Sequence, residues 1–225
     1  MASTSTAVST TVLKSVPMFG GFPDDQLRAL ATMVTRRSVP RSTVIMHEGD
    51  PTDALYIVMS GRLKVMMGEA DGKEVILGIL GPGEFFGEMG LIDDSPRSAT
   101  VTAIEPCELL AVGKRAFKKC LSENITLALA VLQVVVKRLR EADRKIGSLA
   151  MLDVYGRVAR LLLDMSENVN GQRVVTRRLT KQDIARMIGA TREMVSRVMK
   201  DRETSGYFEV RGTTIVLRDA MPPPR

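Results

Sequence analysis

Arg192, Glu193 and Arg197 lie within six positions of one another, and each suits the edge of a base pair. An arginine forks onto guanine O6 and N7, and a glutamate accepts from cytosine N4. If residues 192 to about 202 form a helix, Arg192, Ser196, Lys200, Glu193 and Arg197 share roughly 140° of arc. Val195, Val198, Met199 and Met194 fall on the opposite, apolar arc. Lys200, Thr180 and Gln182 suit phosphate contacts, which position a protein on DNA without reading its sequence. The plainer alternative for Glu193 and Arg197 is an ion pair on a solvated helix face.

The flanking residues predict the elements that present this chemistry. Thr180-Lys-Gln-Asp183 has the pattern of a capping box, with Asp in place of the usual Glu or Gln, and opens a helix to Met187. Gly189 is placed to turn the chain, and Thr191 to cap the second helix. Two short helices joined by a glycine turn make a helix-turn-helix. Charge agrees. Of 32 Lys and Arg and 26 Asp and Glu, nine basic and three acidic residues lie between Arg173 and Arg202, which leaves 23 of each elsewhere. The whole excess of +6 sits in that one stretch and points to a polyanion, nucleic acid, with a solvated basic face as the alternative; joined to the helix-turn-helix it makes double-stranded DNA the expected partner.

Other classes are poorly served by the composition. Two cysteines make neither a disulfide framework nor a four-thiolate cluster and read as free thiols in a reducing cytoplasm. No metal-ligand cluster and no nucleophile–base pattern appear, and the one histidine, His47, reads as a turn residue, so no enzyme, metal or cofactor is expected. The N-terminus lacks the apolar centre of a signal peptide. The apolar run from Leu127 to Val136 is too short to cross a bilayer, so no membrane partner is expected.

Along the chain, residues 1–16 read as a flexible tail and Asp24 to Met33 as a short helix. Ala54–Met59, Arg62–Met67 and Glu74–Leu80 read as strands, with Asp71-Gly72 turning between the last two. Strands at this spacing predict a small antiparallel barrel or roll. From Ile125, apolar or small residues recur at 128, 132, 135, 139, 142, 146 and 149, in steps of three and four. That heptad seam, flanked by charges, predicts a long helix paired with its own copy, with packing onto the same chain's roll as the alternative. Beyond Ala150 a smaller domain starts with a helix from Val154 to Met165 and ends in strands Phe208–Val210 and Thr214–Leu217 around a tight turn.

The stretch GEFFGEMGLIDDSPRSAT, Gly83 to Thr100, fits neither an amphipathic helix nor an alternating strand. Together with Gly49, Gly61, Gly83 and Gly87, with Leu149-Ala-Met-Leu-Asp-Val154 and with Ala190-Thr-Arg-Glu-Met-Val-Ser-Arg197, it resembles the Crp/Fnr superfamily of bacterial transcription regulators, of catabolite activator protein type. The resemblance runs from Pro17 to Leu217. It implies an α+β chain: a jelly-roll-like, cyclic nucleotide-binding β-roll over 17–122, a dimerisation helix over 123–150, a winged helix-turn-helix over 151–219 and a tail over 220–225.

Within that family, Phe86–Leu91 with Pro96–Ala99 matches the phosphate-binding cassette. The resemblance implies ligand contacts at Gly87, Glu88, Met89, Arg97 and Ser98. Gly87 lets backbone approach the ligand. Arg97 grips the phosphate, Glu88 accepts from a ribose hydroxyl, and Ser98 donates. A Glu88–Arg97 salt bridge in a ligand-silent domain is the alternative. The long-helix positions that carry two hydroxyls in cyclic AMP-responsive members are here Ala142 and Asp143. A carboxylate accepts from both guanine N1–H and N2–H₂, whereas adenine's Watson–Crick edge offers one donor. Asp143 therefore leans toward a guanine ligand such as cyclic di-GMP rather than cyclic AMP, with a plain surface charge flanking the seam as the alternative. A cyclic AMP-responsive activator and a ligand-independent member are the alternatives, with a nucleotide-binding subunit that ignores DNA more remote. The resemblance also implies RNA polymerase as a partner, through the Ser166–Gln172 loop.

Overall fold

A computed structural model describes residues 8–68, 72–176 and 179–218. It divides into two compact units, Met1–Val136 and Lys137–Arg225, with the dividing point inside the long helix.

In the first unit, eight strands form two four-stranded antiparallel sheets. One has the order β1 (Val34–Val39), β8 (Cys107–Gly113), β3 (Ala54–Ser60) and β6 (Phe85–Phe86). The other has the order β2 (Val44–Met46), β7 (Thr100–Ala103), β4 (Leu63–Gly68) and β5 (Glu74–Leu80). Strand β3 shows why the central run carries no polar alternation. Leu55 and Ile57 pack with Leu13, Phe19, Leu27, Phe117 and Leu127, while Tyr56 and Val58 pack with Leu63, Leu80, Phe86 and Val101 in the roll interior. Both faces of the strand are buried, so both residue sets are apolar. Burying each such side chain contributes about 1.5–3 kcal/mol.

Four helices complete this unit: α1 (Thr10–Lys14), α2 (Asp24–Ala31), the single turn α3 (Met89–Ile92) and α4 (Lys114–Glu123), followed by the first part of α5 (Ile125–Met151). The expected N-terminal tail is corrected from residue 8 onward. Ser9 Oγ accepts from the Val12 N–H at 3.3 Å and caps α1, and Val8, Leu13 and Val16 are buried. Ser and Thr dominate the composition there, but three apolar residues are enough to dock the segment. Residues 1–7, Asp71 of the expected turn, and the C-terminal tail at 220–225 lie outside the described residues.

In the second unit, α6 (Val154–Met165), α7 (Lys181–Ile188) and α8 (Arg192–Thr204) pack on a four-stranded antiparallel sheet. Its order is β11 (Phe208–Arg211), β12 (Thr214–Leu217), β10 (Gln172–Val175) and β9 (Glu167–Val169). Val158, Leu162, Ile184, Val195, Val198, Phe208 and Ile215 share one core.

The seam of α5 is largely exposed. Leu127 and Val131, off the seam, are buried, while Leu132 (55 % exposed), Leu139 (60 %), Ile146 and Leu149 stand in solvent. Among the described residues no single helix is long and apolar enough to cross a membrane.

Candidate functional site

Arg97 and Glu88 are the two charged side chains buried among the described residues, at 4 % and 2 % exposure. Strand β6 delivers the chain to them by pairing Phe86 with Tyr56. Gly87 follows with φ +82°, and a Cβ there would collide with Arg97 Nη1. The missing side chain is what gives the guanidinium room.

The other end of the stretch is tied to the loop before β3. Arg97 N–H donates to Asp50 O, and Gly49 N–H to Arg97 O, each at 2.9 Å. Thr52 Oγ1 donates to Ser95 O at 2.9 Å. Between these ends the turn swings past α4, where Lys114 and Lys118 hold Asp94 at 2.7 and 2.8 Å. Hydrogen bonds from Lys114 and then Lys118 pull that carboxyl down to about 2.

Three acceptors orient the Arg97 guanidinium. Nη1 donates to Gly87 O at 2.9 Å, and Nη2 donates to Ala54 O at 2.8 Å and to Asp53 Oδ1 at 2.7 Å. Its carbon lies 5.8 Å from the Tyr56 ring centroid, within cation–π range. Asp53 is an ion-pair partner of this guanidinium. A cavity of about 390 Å³ opens beside Arg97, lined also by Arg37, Asp50, Asp53 and Tyr56. None of these four was legible as a site residue, because each comes to the cavity only through sheet pairing and loop closure.

The structure brings Gly87, Glu88, Met89, Arg97 and Ser98 together. Met89 and Ser98 are exposed, with Ser98 Oγ 3.5 Å from Met89 Sδ. Ala142 and Asp143 are exposed neighbours on α5 and belong to the Lys137–Arg225 unit.

The helix-turn-helix elements are built as their residues imply. Asp183 N–H donates to Thr180 Oγ1 at 3.0 Å, and Thr180 N–H to Asp183 Oδ2 at 3.2 Å, which closes the capping box with an aspartate. Gly189 ends α7 in the left-handed region at φ +62°. Thr191 Oγ1 accepts from Met194 N–H at 3.2 Å and starts α8. Lys181 Nζ reaches Ser196 Oγ at 3.1 Å. The hydroxyls of Thr180 and Thr191 are thus engaged as caps.

Gln182, Arg192, Glu193, Arg197 and Lys200 are exposed, and Ser196 is half-buried. Glu193 and Arg197 close no ion pair among the described residues. One apolar residue departs from the expected arc: Met194 is 44 % exposed, because the core closes over Val195, Val198 and Met199 without it. At the far end of α8, Arg202 lies against the rings of Tyr155 and Tyr207, at 5.4 and 4.7 Å from their centroids. Tyr155 Oη donates to Asp201 Oδ2 at 2.6 Å, and that bond raises the tyrosine's pKa above its ordinary value.

A roll with a buried arginine behind a glycine turn, and a winged helix-turn-helix on the same chain, define a class: DNA-binding regulators with a cyclic nucleotide-binding domain. The sequence matches agree. Residues 36–124 match the cyclic nucleotide-binding domain, and residues 156–221 match the Crp-like helix-turn-helix domain. The chain is 30 % identical over 213 residues to the CRP-like cAMP-activated global transcriptional regulator of Mycobacterium tuberculosis, covering 93 % of this chain and 95 % of that one. It is 35 % identical to the cAMP-activated global transcriptional regulator Vfr of Pseudomonas aeruginosa, over 84 % and 92 % of the two chains. The solved structure of the c-di-GMP responsive global regulator CLP of Xanthomonas campestris superposes with a TM-score of 0.74 at 32 % identity, covering 88 % of this chain and all of that one. The chain belongs to the Crp/Fnr superfamily of transcription regulators.

Proposed function

We propose that the protein acts in the cytoplasm as a homodimeric transcription regulator, without enzymatic activity, whose grip on DNA is switched by a cyclic nucleotide. The observation that carries the ligand half is the Arg97 guanidinium, buried, oriented by three acceptors and bordering a cavity of about 390 Å³. The donors left over from those three bonds, the second Nη1–H and the Nε–H, are held in place and meet a phosphodiester with little further ordering. Gly87, Glu88, Met89 and Ser98, which border Arg97 in the chain's turn rather than line that cavity, are the further contacts proposed.

The seam of α5 supports pairing with a second copy, since apolar residues recur there at heptad spacing and Ile125, Leu132, Leu139, Ile146 and Leu149 are exposed. In such a dimer two α8 helices address half-sites one helical turn, roughly 34 Å, apart. Arg192, Glu193 and Arg197 read base edges, while Lys200, Gln182, Ser196 and the capped starts at Thr180 and Thr191 meet backbone. The ligand biases the equilibrium only by its different affinity for the two states of the dimer. The exposed β9–β10 hairpin is the proposed contact for RNA polymerase.

Asp143 supports a guanine ligand such as cyclic di-GMP, as does the likeness to a c-di-GMP responsive regulator. The cyclic AMP reading is favoured instead by the relatives described as cAMP-activated. Calorimetric titration with cyclic AMP, cyclic GMP and cyclic di-GMP decides between them. An adenine preference that survives Asp143→Ala rules out the guanine reading. Equal affinity for a palindromic duplex with and without each nucleotide removes the switch but leaves the DNA reader.

A further inference from the structure

The turn between α7 and α8 is held from outside the two helices it joins. Arg157 lies in the first turn of α6, only six residues beyond the end of α5 at Met151. Its Nη1 donates to Ile188 O at 2.9 Å and reaches Gly189 O at 3.4 Å. The last carbonyls of a helix have no partner within it, and a cation placed there also meets the negative end of the helix dipole.

The α5–α6 junction feeding this contact is short and capped. Leu152 and Asp153 alone separate the helices, and Asp153 Oδ1 accepts from Gly156 N–H at 2.7 Å. Leu149, the last position of the apolar seam, brings Cδ2 within 3.4 Å of where a Gly189 Cβ would stand. The start of α6 thus reaches the left-handed residue that aims α8, and the end of the long helix lies beside it.

We propose that Arg157 is a positioning residue for DNA recognition: by holding the Ile188 and Gly189 carbonyls it fixes the angle at which α8 leaves the turn, and it ties that angle to the end of α5. Arg157 touches no base or phosphate in this role. The inference rests on the DNA-reading function proposed above.

The test uses a fluorescent duplex selected by the wild-type full chain from a random pool, titrated with wild type, Arg157→Met and Arg157→Lys at several salt concentrations. Arg157→Met is expected to raise Kd about tenfold, with the slope of log K against log salt unchanged. Arg157→Lys, whose ammonium still reaches a carbonyl but lacks the fork, is expected to fall between the two. Far-UV circular dichroism and oligomeric mass stay as in wild type. A folded Arg157→Met variant with wild-type Kd overturns the proposal. So does a slope reduced by about one, which makes Arg157 a phosphate contact itself. Should Arg157→Met not fold, Arg157→Lys carries the test, and a Kd equal to wild type overturns it. A wild-type chain that selects no duplex, whether alone or with cyclic AMP, cyclic GMP or cyclic di-GMP present, sinks the DNA-reading function instead.

Discussion

Nη2 of Arg97 lies 2.7 Å from Oδ1 of Asp53, although the two residues are 44 positions apart in the chain. The arginine is buried and the aspartate mostly exposed, so the carboxylate keeps much of its hydration while it orients the fork. Together with the Gly87 and Ala54 carbonyls, it accounts for three bonds of a group that has five N–H donors.

Asp53→Ala should therefore weaken nucleotide binding about threefold to tenfold with little change in melting temperature, as read by calorimetry and thermal denaturation. Arg97→Met should abolish measurable binding. It should also lower stability by about 1–3 kcal/mol for each carbonyl left unsatisfied.

Asp94 makes the cassette turn sensitive to acid. Its folded pKa of about 2 lies below the ordinary 3.8, so the stability it contributes is complete above about pH 4 and is lost as pH falls toward 2. Thermal midpoints measured across that window should decline less steeply for Asp94→Asn than for wild type. Identical slopes would show that Lys114 and Lys118 contribute nothing through it.

The exposed seam predicts a mass change without unfolding. Leu132→Glu with Leu139→Glu should halve the mass seen by light scattering and leave the circular dichroism spectrum intact, because neither side chain is in the core of its own chain. DNA affinity should fall steeply, since one half-site then binds alone.

On α8, Arg192→Ala and Arg197→Ala should each cost about 1–3 kcal/mol of discrimination at one base-pair position. Lys200→Ala should weaken all sequences alike and reduce the salt slope by about one. Competition binding against single-base variants of a selected site separates the two patterns.

Several elements were legible because their signals are local. The Thr180–Asp183 capping box, the Gly189 turn and the strand over Glu74–Leu80 appear where their residues imply, and each depends on neighbours a few positions away. The docking of residues 8–16 was not legible, because a Ser- and Thr-rich composition outweighs three apolar residues until their partner surface is known. Met194 was misread for a related reason. A helical wheel assigns it to the apolar arc, yet how wide that arc is buried depends on the elements packed against it.

What the chain's residues determined by themselves is the kind of protein this is: a glycine-punctuated roll, a heptad helix and a basic helix-turn-helix, each written in periodicity, caps and charge. What only tertiary structure decided is who holds whom. Asp53 on Arg97, Lys114 and Lys118 on Asp94, and Arg157 on the Gly189 turn join residues distant in sequence, and such pairings follow from sheet register and loop closure, which no local pattern encodes.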